Sequence, residues 1–237
     1  MPTGTPTQLP YVVSIIQQLQ PRSILDIGIG FGKWGHIFRE YTDIVNSFED
    51  VARYRKEGWR VRIDGVEGFE PYVTQMHRFL YDNLYVADVR DLIDKAERYD
   101  VIYLGDVIEH IEKDKAVEII DKCVSLANKA VILSTPLGFT EQADACGNEL
   151  ERHRSGWRPA DFVRYPRRVV KTFERSSLLV VLLAADAPFP TLNWRYHKQP
   201  MPRHRRLARW LLSRLLGWRL FQRYDRWSRL RIVNPAK

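Results

Sequence analysis

The chain has 237 residues, with 37 Lys and Arg against 29 Asp and Glu and a formal net charge of +8. Its 45% hydrophobic and 28% charged residues sit near globular averages, which excludes disorder, collagen and coiled coil and leaves room for one or two domains with a real core. Two cysteines, Cys123 and Cys146, are too few for a disulfide framework or a four-cysteine zinc site, so a reducing, cytoplasmic setting is expected.

Residues 9–19 place Leu9, Val12, Val13, Ile16 and Leu19 at helical spacing, and Pro21 ends the run. Residues 23–28 form a short apolar run broken by glycines, which reads as a buried strand entering a turn, and residues 32–41 resume as helix. The pattern repeats: strand over 61–66, helix over 71–80 with Pro71 in its first turn, and strand over 84–87. A short helix near 91–98, a strand over 101–104, an amphipathic helix over 111–127 and a strand over 130–133 follow. Strands alternating with helices mean βαβ units and a mainly parallel sheet covered on both faces, with ligands bound outside the carboxyl ends of the strands. Runs at 169–173 and 178–185 are separated by only four residues, too few for a crossover helix, so they are expected to form an antiparallel hairpin at a sheet edge. The run 178–185 is also the longest apolar one, far short of a membrane span, and residues 1–10 lack the basic start and apolar centre of a leader, so neither feature is expected.

The loop Leu25-Asp26-Ile27-Gly28-Ile29-Gly30-Phe31-Gly32 puts three glycines where a strand turns into a helix, so that backbone N–H groups can approach a ligand near the positive helix end. Residues 30–35 also fit the dinucleotide pattern G-x-G-x-x-G, a weak signal alone. Asp43, Glu49 and Asp50 lie at the distance an NAD site requires, but none ends a second strand; Glu67 does, Asp88 ends the third, and Asp106 follows the fourth.

Together the LDIGIGFG loop, GVE, ADVRDL, YDVIYLGDVIEHIE and VILSTP, in this order, resemble the class I S-adenosylmethionine-dependent methyltransferases over roughly residues 9–186. The resemblance implies a Rossmann-like, doubly wound seven-stranded sheet, mainly parallel with an antiparallel last strand. It also implies S-adenosylmethionine as cofactor, with Gly28, Gly30 and Gly32 beside its methionine part, Glu67 on the ribose hydroxyls, and Asp88 and Val89 along the adenine. Asp26 would hold the loop in shape, and Asp106 would border both cofactor and reacting centre. Plainer readings stand beside these: the glycines serve only the turn, Asp88 caps the following helix, Glu70 is a helix-start acid, and Cys123 packs in the core.

Methyl transfer to a hydroxyl needs alignment and a route for the proton, through a base or a metal. Asp106, Glu109 and His110 have the spacing i, i+3, i+4 and would converge at a helix start, while His153 lies in a later loop able to return over the cofactor. The pairing of DVIEH with a later HxxxW resembles the small-RNA 3′-terminal 2′-O-methyltransferases, whose E-x-x-E-H and distant histidine bind a divalent cation. By that resemblance Asp106, Glu109, His110 and His153 would hold Mg or Mn, with Asp106 a shorter arm in place of Glu. In sugar and natural-product O-methyltransferases a similar loop histidine is the base without metal.

Residues 203–237 hold 11 Lys and Arg and one acid, whereas residues 1–202 hold 26 against 28, so the basic charge belongs to the tail. There Leu207, Trp210, Leu211, Leu215, Trp218 and Phe221 fall opposite Arg205, Arg206, Arg209, Arg219 and Arg223, the pattern of a basic amphipathic helix. A methyltransferase domain over 1–190 and an extension over 191–237 are expected. The extension would pack on its own domain, pair in a homodimer, dock on the anionic inner membrane surface, or bind nucleic-acid phosphates. The preferred function is O-methylation of a saccharide, glycolipid or related small metabolite, with His153 and Asp106 at the reacting centre. The alternatives are a metal-dependent RNA 2′-O-methyltransferase and a non-catalytic cofactor-binding or membrane-recruitment protein.

Overall fold

Short apolar runs separated by amphipathic segments have one economical solution, a sheet buried on both faces, and the chain adopts it. The computed structural model describes residues 6–45, 50–173 and 176–190. In chain order these form α1 (Leu9–Leu19), β1 (Ser23–Ile27), α2 (Lys33–Arg39), β2 (Arg62–Glu67), α3 (Gln75–Leu80), β3 (Leu84–Val86), α4 (Val89–Leu92), β4 (Tyr99–Gly105), α5 (Lys113–Leu126), β5 (Ala127–Pro136), β6 (Arg168–Phe173) and β7 (Ser177–Leu183). The seven strands lie in the order β3-β2-β1-β4-β5-β7-β6. β1 through β5 pair in parallel, and β7 runs antiparallel to both β5 and β6. The expected edge hairpin therefore forms, with its second strand inserted next to β5.

Side-chain alternation along each strand divides the core into two layers. Leu25, Ile27, Ile102, Leu104, Val131 and Leu133 face α5, whose Ile119, Ile120 and Cys123 complete that layer. Ile24, Val101, Tyr103, Ala130 and Ile132 face the other way, against Val12, Ile15 and Ile16 of α1 and Trp34 and Phe38 of α2. Cys123 is fully buried and its thiol is pushed up to about 12 by that burial, as a packing residue requires.

Three expected elements differ in detail. The helix expected over 71–80 divides into a tight turn, Glu70–Tyr72, and α3, because extended Thr74 resets the backbone as the α3 N-cap. The helix expected to begin near residue 111 starts at Lys113, since Ile111 and Glu112 are not helical and Ile108–His110 is a 3-10 turn. The segment after α2 continues as a π-helical turn, Glu40–Ile44. Among the described residues no helix is long and apolar enough to cross a membrane. The expected C-terminal amphipathic helix lies outside the described residues.

Two buried polar arrangements tie this framework together. Arg39, 1% exposed, donates to the Leu80 carbonyl at 2.8 Å, to Asp43 at 3.1 Å and to Asp82 at 2.6 Å, reaches the Val61 carbonyl, and lies over the Trp59 ring. Asp43 in turn accepts the amides of Arg60 and Val61, so one guanidinium joins the end of α2 to the entry of β2. Asp26, fully buried in β1, accepts the Tyr81 hydroxyl at 2.6 Å, while its other oxygen has no hydrogen-bond partner among the described residues. Burial pushes this carboxyl up to about 7 despite the Tyr81 bond, and the Glu67 charge adds to the rise.

Two outcomes are expected. Arg39→Ala leaves buried Asp43 with only the distant Arg53, 4.0 Å from its other oxygen, and costs about 3–5 kcal/mol in urea unfolding; a loss within about 0.5 kcal/mol, the range of ordinary surface substitutions, would contradict this. For Asp26, the folded protein retains a proton that the unfolded chain releases at about pH 4, so its contribution makes stability fall as pH rises from there to about 7. Asp26→Asn removes up to about 1.4 kcal/mol per pH unit of that slope, measured as urea unfolding across the same range.

Candidate functional site

A cavity of about 310 Å³ opens at the carboxyl ends of the parallel strands, lined by Ile27 at the end of β1 and Gly28 after it, Glu67 from β2, Ala87 and Asp88 after β3, Asp106 after β4, and Pro136 from β5. The volume falls within the range of small-molecule sites, and the position is the one expected for this sheet class. Gly28 has φ +75°, and a Cβ there would stand 2.4 Å from Val107 Cγ2, so only glycine fits. Gly30, at φ +50°, turns its N–H onto Glu67 Oε2 at 3.0 Å. Glu67 Oε1 accepts the Phe69 amide at 2.9 Å, so the carboxylate is held by backbone at both oxygens and keeps lone pairs for further donors. Burial raises the Glu67 pKa against the pull of those amides, and Glu151 reinforces the rise.

Along the same wall Asp88 accepts the Arg90 amide at 2.8 Å and its guanidinium at 2.9 Å. It therefore caps α4 while also lining the cavity. Burial works against its charge, but the Arg90 contacts prevail and hold its pKa below the ordinary value. Val89 lines the cavity beside it. Asp26 and Gly32 do not: Asp26 lies beneath the loop on Tyr81, and Gly32 is the N-cap of α2, backed by His77.

At the opposite wall the helix start expected to gather Asp106, Glu109 and His110 does not form. Asp106 has φ +55° and donates its amide to the Ser134 carbonyl at 2.8 Å, which turns the chain out of β4 before the 3-10 turn carrying Glu109 and His110. The ligating atoms of Glu109, His110 and His153 lie within 4.8 Å of one another, and Asp106 is not in that group. Glu109 is 2% exposed, its Oε2 accepts the Thr135 hydroxyl at 3.0 Å, and burial with the nearby Asp106 charge raises its pKa well above the ordinary range. Burial likewise raises Asp106, opposed first by Lys33, and lowers Lys33, opposed by Asp106 and Asp26.

His153 arrives from the loop 137–157. That loop is tied down by the Glu109 carbonyl, which accepts the amides of Arg154 and Ser155 at 2.7 and 3.0 Å, and by buried Trp157, whose indole N–H donates to Ser155 Oγ. The His153 and His110 rings meet edge to face at 4.8 Å. His153 Nδ1 lies 2.6 Å from the Thr140 carbonyl and His110 Nδ1 3.3 Å from the Arg152 carbonyl, so each Nδ1 carries a proton and each Nε2 is left to face other groups. Burial lowers the His110 pKa and keeps that ring neutral.

Sequence reasoning missed Lys33, Gln142 and Glu151, which also line the cavity. Glu151, 8% exposed, accepts the Tyr72 hydroxyl at 3.2 Å, and Gln142 donates to its carbonyl at 2.6 Å. Its proximity to His153 in the run Glu151-Arg152-His153 was the available signal. Chemically, the cavity offers a polar rim with a buried carboxylate at one end, and two imidazoles beside a carboxyl at the other.

No family model matches the sequence, and no curated protein matches it. Solved structures do. A SAM-dependent methyltransferase from Archaeoglobus fulgidus superposes with a TM-score of 0.54 at 12% identity, over 76% of this chain and 95% of that one. DhpI, in complex with SAM and HEP, gives 0.53 at 13% identity, over 74% and 85%. The N-terminal domain of EvdMO1, solved with SAH and D-fucose, gives 0.50 at 14% identity, over 75% and 83%. The strand order, the antiparallel β7 and these neighbours together give the chain the fold of the class I S-adenosylmethionine-dependent methyltransferases.

Proposed function

We propose that the protein is an S-adenosylmethionine-dependent methyltransferase acting on a hydroxyl of a saccharide, glycolipid or related small metabolite. The observation that carries the reading is the bond between Gly30 N–H and Glu67, 3.0 Å long, at the cavity mouth of this fold. It sets a buried carboxylate where ribose hydroxyls would donate, with the glycine-lined turn beside it for the methionine part and Asp88 and Val89 for the adenine. Buried carboxylates at Glu67 and Asp106 also favour a sulfonium cation electrostatically. The D-fucose present with the EvdMO1 domain supports a saccharide acceptor.

In this reading bound S-adenosylmethionine would supply an electrophilic methyl group to the acceptor oxygen and would be left as S-adenosylhomocysteine. His153 Nε2 takes the hydroxyl proton, while Nδ1–H on the Thr140 carbonyl holds the tautomer and stabilises the imidazolium that forms. Asp106 borders the reacting centre across from Lys33.

A second reading is favoured by one observation, the Glu109, His110 and His153 group. The set fits a divalent cation: one carboxyl and two imidazoles, each with Nδ1 on a backbone carbonyl, as outer-shell support for a metal requires. A bound ion would supply Lewis acidity to a sugar hydroxyl, as in RNA 2′-O-methylation, and Mg or Mn would be held without Asp106.

Calorimetry with S-adenosylhomocysteine is expected to show binding, weakened about tenfold or more by Glu67→Ala; no binding to the wild-type protein would remove the assignment. With methyl-labelled S-adenosylmethionine and fractionated cell extract, His153→Ala is expected to lower label transfer by about 10²-fold or more while leaving S-adenosylhomocysteine affinity intact. Chelation by EDTA separates the two readings: transfer survives if His153 is a metal-free base and stops if the three-residue group holds a required ion.

A further inference from the structure

Gly30 is gripped from both sides. Its N–H goes to Glu67, and its carbonyl lies 3.0 Å from Nε2 of His77, a residue of α3 that is 1% exposed and 47 positions away in sequence. The tautomer of His77 follows from its other nitrogen, because the Thr74 amide donates to Nδ1 at 2.9 Å. A nitrogen that accepts an N–H carries no proton, so the ring proton is on Nε2 and is donated to Gly30. The ring also backs the turn sterically, with two of its atoms 3.1 Å from where a Gly32 Cβ would stand, and it lies parallel to Tyr81 at 6.5 Å. Tyr81 in turn donates to Asp26, so side chains four residues apart brace the glycine turn at its start and its middle.

We infer that His77 is a positioning residue for the cofactor: by holding the Gly30 carbonyl it fixes the peptide plane that aims the Gly30 amide at Glu67 and leaves the carboxylate correctly turned for the ribose. The inference rests on the cofactor reading above. Gly30 sits at positive φ in a turn of glycines, where the backbone has many alternatives, and a bond to a rigid ring is a direct way to select one of them. Burial lowers the His77 pKa, which keeps the ring in the singly protonated state that accepts from Thr74 and donates to Gly30.

The two nitrogens have different duties, and this makes the test specific. His77→Asn retains an acceptor near the Nδ1 position for the Thr74 amide and loses the donor to Gly30. His77→Gln retains a donor near the Nε2 position and loses the α3 cap. His77→Phe keeps the ring volume and loses both. S-adenosylhomocysteine affinity by calorimetry and the thermal midpoint are read on each full-length variant. The expected pattern is crossed: His77→Asn keeps the midpoint but binds about tenfold more weakly, His77→Gln loses midpoint but binds within about threefold of wild type, and His77→Phe loses both. Affinity that follows the midpoint across the three, or wild-type affinity in His77→Asn, would show a purely structural histidine and overturn the inference. Absence of binding by the wild-type protein would instead overturn the cofactor reading and this inference with it.

Discussion

The site depends on a carboxylate kept out of water. Glu67 is 6% exposed at the end of a central strand, and backbone amides on either side of it, from Gly30 and Phe69, hold its two oxygens. The glycine turn and β2 are thereby locked in one arrangement, since moving either would leave a buried charge without donors. The same arrangement carries an electrostatic cost. Asp26, Glu67, Asp106 and Glu109 all lie close enough to solvent-poor surroundings that burial raises each of their pKa values. A fold optimised for stability alone would replace such groups with apolar ones. Glu67, Asp106 and Glu109 line one cavity, where a positive ligand would offset the desolvation that folding imposes.

How the opposite wall is completed follows from one main-chain carbonyl. Glu109 turns its side chain to Thr135 and its carbonyl to the amides of Arg154 and Ser155. One residue therefore supplies a candidate reacting group and anchors the returning loop. Ser155 adds a second tie through its hydroxyl to the Ile108 carbonyl, and Trp157 fills the space behind, with the Lys113 ammonium 3.8 Å over its ring. His153 is held near His110 by this backbone docking rather than by a contact between their polar atoms. Its orientation is then set by Thr140 from within the same loop.

The sheet and the acids at its strand ends were legible in the sequence because they follow from local rules. Apolar runs of strand length, glycines where a strand meets a helix, and Glu67, Asp88 and Asp106 just past successive strands need no knowledge of distant contacts. The error at residues 106–110 came from applying helical spacing where the backbone was still leaving the sheet. Asp106 adopts positive φ because its amide is captured by Ser134 on the neighbouring strand, and no property of residues 106–110 announces that bond. His77 and Glu151 were invisible for a related reason. Each acts across a long stretch of chain, on Gly30 and with Tyr72 respectively, and each lies in a segment whose own pattern reads as plain helix or loop. Local chemistry announces strand ends; the braces behind them are set by tertiary packing.

The sign of the cavity bears on which acceptors it admits. Its wall carries Glu67, Asp88, Asp106, Glu109 and Glu151 against Lys33 and Arg90. Arg90 is paired with Asp88, and Lys33 is drawn to Asp106 and Asp26, so neither offers an anionic substrate a cation without first giving up a carboxylate. A phosphate or carboxylate entering here would meet more carboxyl groups than cations, in surroundings where screening is weak. A neutral polyol meets no such repulsion, and Gln142 and Glu151 in the wall offer it a donor and an acceptor. An RNA end would have to present a bare ribose to the cavity and keep its phosphates away from these carboxyl groups. A saccharide acceptor would require no such division.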